Sequence, residues 1–148
     1  MSLLENIDQD LIKALKSRDQ HAADTLRGLK SDIRYFQIDK RLEKVGDDDV
    51  IAVLNSAAKR RRDSIEQFGL GGRADLVAKE TRELEIIKKY LPEQLSEEEI
   101  LSLVKEIIQE TGAASPSDVG KVMKALMPKV KGRADGKLVK DVVGRTLV

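Results

Sequence analysis

The sequence predicts an all-α protein: an N-terminal bundle of about four helices, followed by a C-terminal three-helix domain. Three observations predict it. Apolar residues recur at intervals of three and four along almost the whole chain, the repeat of a helix that buries one stripe. No run alternates apolar and polar residues as a half-buried strand would. Charged residues make up 36% of the chain beside only three prolines, a composition suited to exposed helix faces.

Each helix has its own signals. The first is expected from Leu3 to about Ser17, with Ser2 and Glu5 as a capping box and Leu4, Ile7, Leu11 and Leu15 as its stripe. Asp19 caps the second, whose stripe is Ala22, Leu26, Leu29, Ile33 and Phe36. The third starts near Asp47, Asp48 and Asp49, where negative charge suits the positive end of the helix dipole. It turns Val50, Leu54, Ala57, Ile65 and Phe68 inward and stops at Gly69, Gly71 and Gly72. The fourth runs from about Ala74 to Tyr90, with Val77, Leu84 and Ile87 inside.

Pro92 biases Leu91 away from helical geometry and marks a hinge. The expected domains are therefore 1–92 and 96–148. Ser96 and Glu99 repeat the capping-box pattern ahead of Ile100, Val104 and Ile107, and Gly112 closes the fifth helix. Ser115 and Pro116 open the sixth, lined by Val119, Val122, Leu126 and Val130. Pro128 is expected to kink it or to stop it near Met127. Asp135 opens the last helix, with Leu138, Val142 and Val143 inward.

Composition narrows the chemistry. There is no cysteine, so disulfides, thiolate metal sites and thiol catalysis are ruled out. His21 is the single histidine, and its place beside Gln20 at a helix start suits an exposed or capping role rather than a general base. No serine has a nucleophile-elbow setting, and no glycine loop has nucleotide-cradling spacing. No catalytic residue, cofactor or metal is assigned. No apolar run approaches the roughly 20 residues that span a bilayer. The opening Met-Ser-Leu-Leu-Glu lacks a charged segment followed by an apolar core. The expectation is a cytoplasmic protein that does not engage membranes.

Charge is distributed unevenly. Residues 1–95 hold 18 cations and 18 anions, whereas residues 118–148 hold eight cations and three anions. Within that stretch, residues 120–140 carry seven cations and one anion, in a chain whose net charge is only +1. At 100° per residue, Lys121, Lys124 and Lys131 fall opposite the stripe of Val122 and Leu126, with Gly120 on the same outer side. A small helical unit that gathers cations is expected to meet a polyanion.

Other basic groups carry less. Arg27, Lys30, Arg34 and Arg41 form a possible secondary basic face on the second helix. Lys59-Arg60-Arg61-Arg62 points in four directions around a helix, with Arg61 near the apolar stripe and with Asp63 and Glu66 close enough to pair. Gly-Arg-Ala-Asp occurs at 72–75 and at 132–135, where glycine turns the chain and aspartate caps the next helix. A sharper reading sets Arg133 beside a helix N-terminus able to hold a phosphate.

The stretch Gly120-Lys121-Val122-Met123 through Gly132-Arg133-Ala134-Asp135 and Leu138-Val139 resembles the signature of the GatB/YqeY family. Lys59 to Phe68, Gly72 to Leu76 and Tyr90 to Glu99 extend the likeness over nearly the whole chain, to the free-standing YqeY-like proteins. The resemblance implies an all-helical fold in two parts. The second part is similar to the tail of the B subunit of glutamyl-tRNA(Gln) amidotransferase, a tail that contacts tRNA. Pro128 looks like a feature of the free-standing group rather than of that tail.

The expected function is therefore binding of tRNA or another structured RNA, with tRNA amidotransferase or aminoacyl-tRNA machinery as further partners. Lys121, Lys124, Lys131, Arg133 and Lys137 are the expected phosphate contacts, and Gly120 and Gly132 the points of close approach. One alternative is an accessory role in carbon–nitrogen ligation with glutamine as amide donor, although the catalytic part of that enzyme has no counterpart here. Another is a protein–protein adaptor that uses Met123 and Met127.

Overall fold

The computed structural model describes all residues, 1–148. Every regular element is helical. The helices are α1 (Leu3–Lys16), α2 (Gln20–Asp39), α3 (Asp47–Leu70), α4 (Ala74–Lys88), α5 (Glu97–Thr111), α6 (Val119–Val130) and α7 (Gly136–Thr146). A 3-10 turn, Pro116–Asp118, leads into α6. The chain divides into two compact units, Met1–Leu91 and Pro92–Val148. No helix is long and apolar enough to cross a membrane.

In the first unit, α3 and α4 pack as a hairpin while α1 packs on α2. Ile7, Leu29, Val50, Leu54 and Ile87 are fully shielded from solvent and form the centre of its core. The Ser2 capping box forms in both directions, and Asp19 accepts from the Ala22 amide at 3.1 Å. Asp47 serves α1 as well as α3: its carboxylate accepts the Leu3 amide at 3.0 Å. Leu15, expected on the buried stripe, is instead 44% exposed, because α1 turns Ala14 inward at its C-terminal end.

The α3–α4 turn uses Gly72 at φ +70°, a left-handed conformation that suits glycine. The aspartate of the first Gly-Arg-Ala-Asp copy does not cap: Arg73 occupies the N-cap position, and Asp75 lies inside α4, bonded by the Arg73 guanidinium at 3.1 and 3.2 Å. In the second copy the aspartate does cap, Asp135 accepting from the Lys137 amide at 3.3 Å. Gly132 shares the left-handed turn, at φ +77°.

The second unit buries Ile100, Val104 and Ile107 of α5 against Val122, Leu126 and Val130 of α6 and Val139, Val142 and Val143 of α7. Ser96 caps α5 by accepting from the Glu99 amide at 3.1 Å. Ahead of α6, the Asp118 carboxylate accepts the amides of Ala114 (2.9 Å) and Ser115 (3.2 Å). Pro128 does not stop α6, which runs on to Val130. The proline stands in the last turn, where it forfeits one backbone bond, and the continuation brings Val130 into the core at 1% exposure. The Lys131 amide then closes the helix on the Met127 carbonyl at 2.9 Å.

Candidate nucleic-acid interface

Helix α6 sets the geometry. Val122, Leu126 and Val130 are buried on one side. The opposite side presents Gly120, Lys121, Lys124, Met127, Pro128 and Lys131, all exposed. Ten residues of helix separate Lys121 from Lys131, about 15 Å of axis. Lys124 and Lys131 make no ion pair, nor do the neighbouring exposed residues Lys129 and Lys140. Lys121 is near enough to Asp118 to help hold that carboxyl below its ordinary value, after the two backbone amides that contribute most. A Cβ added at Gly120 would meet nothing within 4 Å, so its side of α6 lies open.

The other sequence-predicted residues divide. Lys137 is exposed and already engaged within the protein. Arg133 is half-buried, and its Nε points to the Glu93 carbonyl at 3.4 Å. Gly132 is buried and does not offer a surface for close approach. Its carbonyl accepts the Gln94 side-chain amide at 3.0 Å, while the Arg133 carbonyl accepts the Leu95 amide at 2.7 Å. Gly132 and Arg133 thus lace the 92–95 segment to the turn between α6 and α7. At the N-terminus of α7 the Asp135 carboxylate accepts the Lys137 amide at 3.3 Å, which places one of the protein's own anions at that helix end.

The outer side of α7 forms a broad, open depression that includes Lys137, Lys140, Asp141 and Arg145. Arg145 is committed to Glu97 through a short charged hydrogen bond and lies 3.8 Å from Asp141. Its charge is therefore balanced locally, unlike those of Lys124 and Lys131. Met123 is half-buried and Met127 is 39% exposed, so the adaptor expectation retains one accessible methionine.

The secondary basic face does not assemble as a continuous stripe. Lys30 is held by Asp8 at 2.7 Å, and Arg41 lies beyond the end of α2 in a left-handed conformation, φ +54°. Arg27 is 3.9 Å from Asp24, and Arg34 is exposed. Within the Lys59–Arg62 run, Arg60 bonds Asp32 at 2.8 Å and Arg61 faces Glu83 at 3.7 Å with little exposure. Partners on other helices, which local spacing does not reveal, take these arginines. His21 is half-buried and its Nε2 has no hydrogen-bond partner.

The family model for YqeY-like proteins matches residues 4–147. The chain belongs to the YqeY-like family. It is similar to the protein named Altered inheritance of mitochondria protein 41, mitochondrial, in two fungi. With that of Lachancea thermotolerans it is 35% identical over 76% of this chain and 61% of the relative. With that of Pyrenophora tritici-repentis it is 30% identical over 96% of this chain and 81% of the relative. An uncharacterised protein of Schizosaccharomyces pombe is 36% identical over 61% of this YqeY-like chain and 72% of its own length. The match thus spans about three-fifths of the length of the Lachancea relative. The cytoplasmic expectation is corrected by these comparisons, since the relatives named Altered inheritance of mitochondria protein 41 bear names that assign them to mitochondria. An opening without a leader pattern carries no information about the compartment of a family whose members differ in length.

Proposed function

We propose that this YqeY-like protein binds structured RNA, with tRNA as the first candidate, through the outward side of α6. The observation that carries the reading is the set of exposed lysines, Lys121, Lys124 and Lys131, along one helix side. Residues 92–148 contain no aromatic side chain and no histidine, so this unit has no ring on which to stack a splayed base. Phosphate contact and backbone shape are the means left to it, which favours folded, largely paired RNA. The likeness of the same segment to the amidotransferase tail supports tRNA in particular.

The test is filter retention of labelled tRNA by the full chain across a salt series. Wild type should lose affinity steeply as salt rises. Lys121→Glu combined with Lys124→Glu should weaken binding at least tenfold and reduce the log–log salt slope by about two, one for each lost phosphate contact. Equal retention of the two proteins at every salt concentration would reject the reading.

A further inference from the structure

Among residues 92–148 the exposed large apolar side chains are Met127 and the terminal Val148. Met127 stands on the lysine-bearing side of α6, 39% exposed, with Pro128 exposed next to it. Gly120, Lys124, Met127 and Lys131 recur at intervals of four, three and four. Helical geometry therefore sets them in one row, with Lys131 as the C-cap. Lys124 and Lys131 are two turns apart, about 10 Å along the axis, and Met127 lies between them.

The row carries charge of one sign. Residues 119–134 hold five cations and no anion, and neither Lys124 nor Lys131 makes an ion pair. Lys121, on the adjacent row, is the lysine near Asp118. Gly120 leaves the start of the row open, since a Cβ added there would meet nothing within 4 Å. A single exposed apolar side chain is ordinary on a protein surface. The place of this one, between two unpaired ammonium groups on a stiff helix, is what gives it a use.

The shape of paired RNA matches such a row. Its major groove is deep and narrow and closed to side chains. Its minor groove is wide and shallow, and displays riboses with their 2′-hydroxyls between two phosphate strands. The minor groove of B-form DNA, about 6 Å wide, is narrower than a helix with its side chains, about 10–12 Å across. The DNA major groove admits a helix, but there the centre of the row would face base edges, to which neither glycine nor methionine offers a directed hydrogen bond. Cation, apolar step and cation correspond instead to phosphate, ribose and phosphate.

We propose that this row lies across the minor groove of paired RNA and distinguishes it from DNA. Lys124 and Lys131 reach phosphates of the two facing strands. Met127 rests between them on the ribose edges, its sulfur a weak acceptor for a 2′-hydroxyl. Gly120 lets a strand pass close to the first turn of α6. The inference rests on the reading of α6 as an RNA surface, and adds the groove, the sugar and the residue that senses it.

The test is filter retention by the full chain of a blunt RNA duplex, a DNA duplex of the same sequence, and tRNA. Wild type should hold the RNA duplex roughly tenfold tighter than the DNA duplex. Lys124→Ala with Lys131→Ala should weaken both and reduce the log–log salt slope by about two. Met127→Ala should lower RNA-duplex affinity roughly fivefold while leaving DNA affinity and the salt slope unchanged, because no phosphate contact is lost. Met127→Leu should keep the preference for RNA. Both Met127 variants should melt as wild type does, since the side chain is exposed and alanine and leucine are good helix formers. If tRNA is retained while wild type holds the two duplexes equally, the groove assignment is overturned and the broader α6 reading stands; if tRNA is not retained, both fall. A preference that survives intact in Met127→Ala overturns the assignment as well. Polyglutamate that competes as well as the RNA duplex at equal charge would assign the row to an acidic protein and overturn it equally.

Discussion

Tyr90 shows how much a single side chain contributes to the first unit. It is 8% exposed at the end of the bundle, and its hydroxyl donates to the Asp10 carboxylate at 2.5 Å, tying the residues after α4 to α1. Burial, reinforced by the bond to Asp10, raises its pKa well above the ordinary 10.0. The neutral phenol is thus the form that the fold favours. Its contribution is complete below about pH 10 and drains away as the pH climbs from there toward the raised folded value. Tyr90→Phe should cost about 1 kcal/mol, since one hydrogen bond is lost and Asp10 is left near solvent. The gap between wild type and variant in urea unfolding should narrow as the pH is taken above 10. A gap that widened there would show the phenolate, not the phenol, to be the favoured form.

Among the elements, the entry to α6 is the most informative. The Asp118 carboxylate accepts two amides ahead of the helix, and these bonds, with a smaller contribution from Lys121, hold its pKa below the ordinary 3.8. A lowered carboxylate pKa stabilises the fold above the unfolded value and is lost as pH falls through the folded one. Asp118→Ala should therefore lower the melting temperature at neutral pH, and the difference from wild type should vanish in acid below the usual carboxylate range. Calorimetry over a pH series checks it; a constant difference down to full protonation would contradict it. Elements of this kind were legible in advance wherever the partners are close in sequence. Ser2, Asp19, Ser96 and Asp135 all cap as their spacing predicts, because a cap and its amide are two or three residues apart. Pro128 was less legible: a local rule ends the helix, while burial of Val130 carries it on. In the candidate site, the exposure of Lys121, Lys124 and Lys131 follows from helical phase alone. The burial of Gly132 and the commitment of Arg133 do not, because their partners lie some 40 residues earlier.

On the scale of the whole molecule, the division at residue 91 is the feature with most bearing on experiment. Proline at 92 suggests a hinge, with the second domain starting at the Ser96 cap. Residues 92–95 instead belong to the second unit. The Gln94 side chain donates to the carbonyls of Pro92 and Gly132, and the Leu95 amide donates to Arg133. A fragment of residues 92–148 should consequently be more stable than one of 96–148 by about 1–2 kcal/mol, given one backbone and two side-chain bonds between the segment and the turn. Parallel denaturant titrations of the two fragments measure the difference, and coincident curves would show the lacing to be inconsequential.

The same lacing dictates where the polypeptide can be lengthened. A spacer placed after Gln94 would pull the clasp off the α6–α7 corner and loosen the turn from which α7 starts. One placed just before Pro92 would leave that corner intact. Chimaeras that vary the distance between the two halves, or graft the second onto another carrier, should therefore make their join on the N-terminal side of the proline.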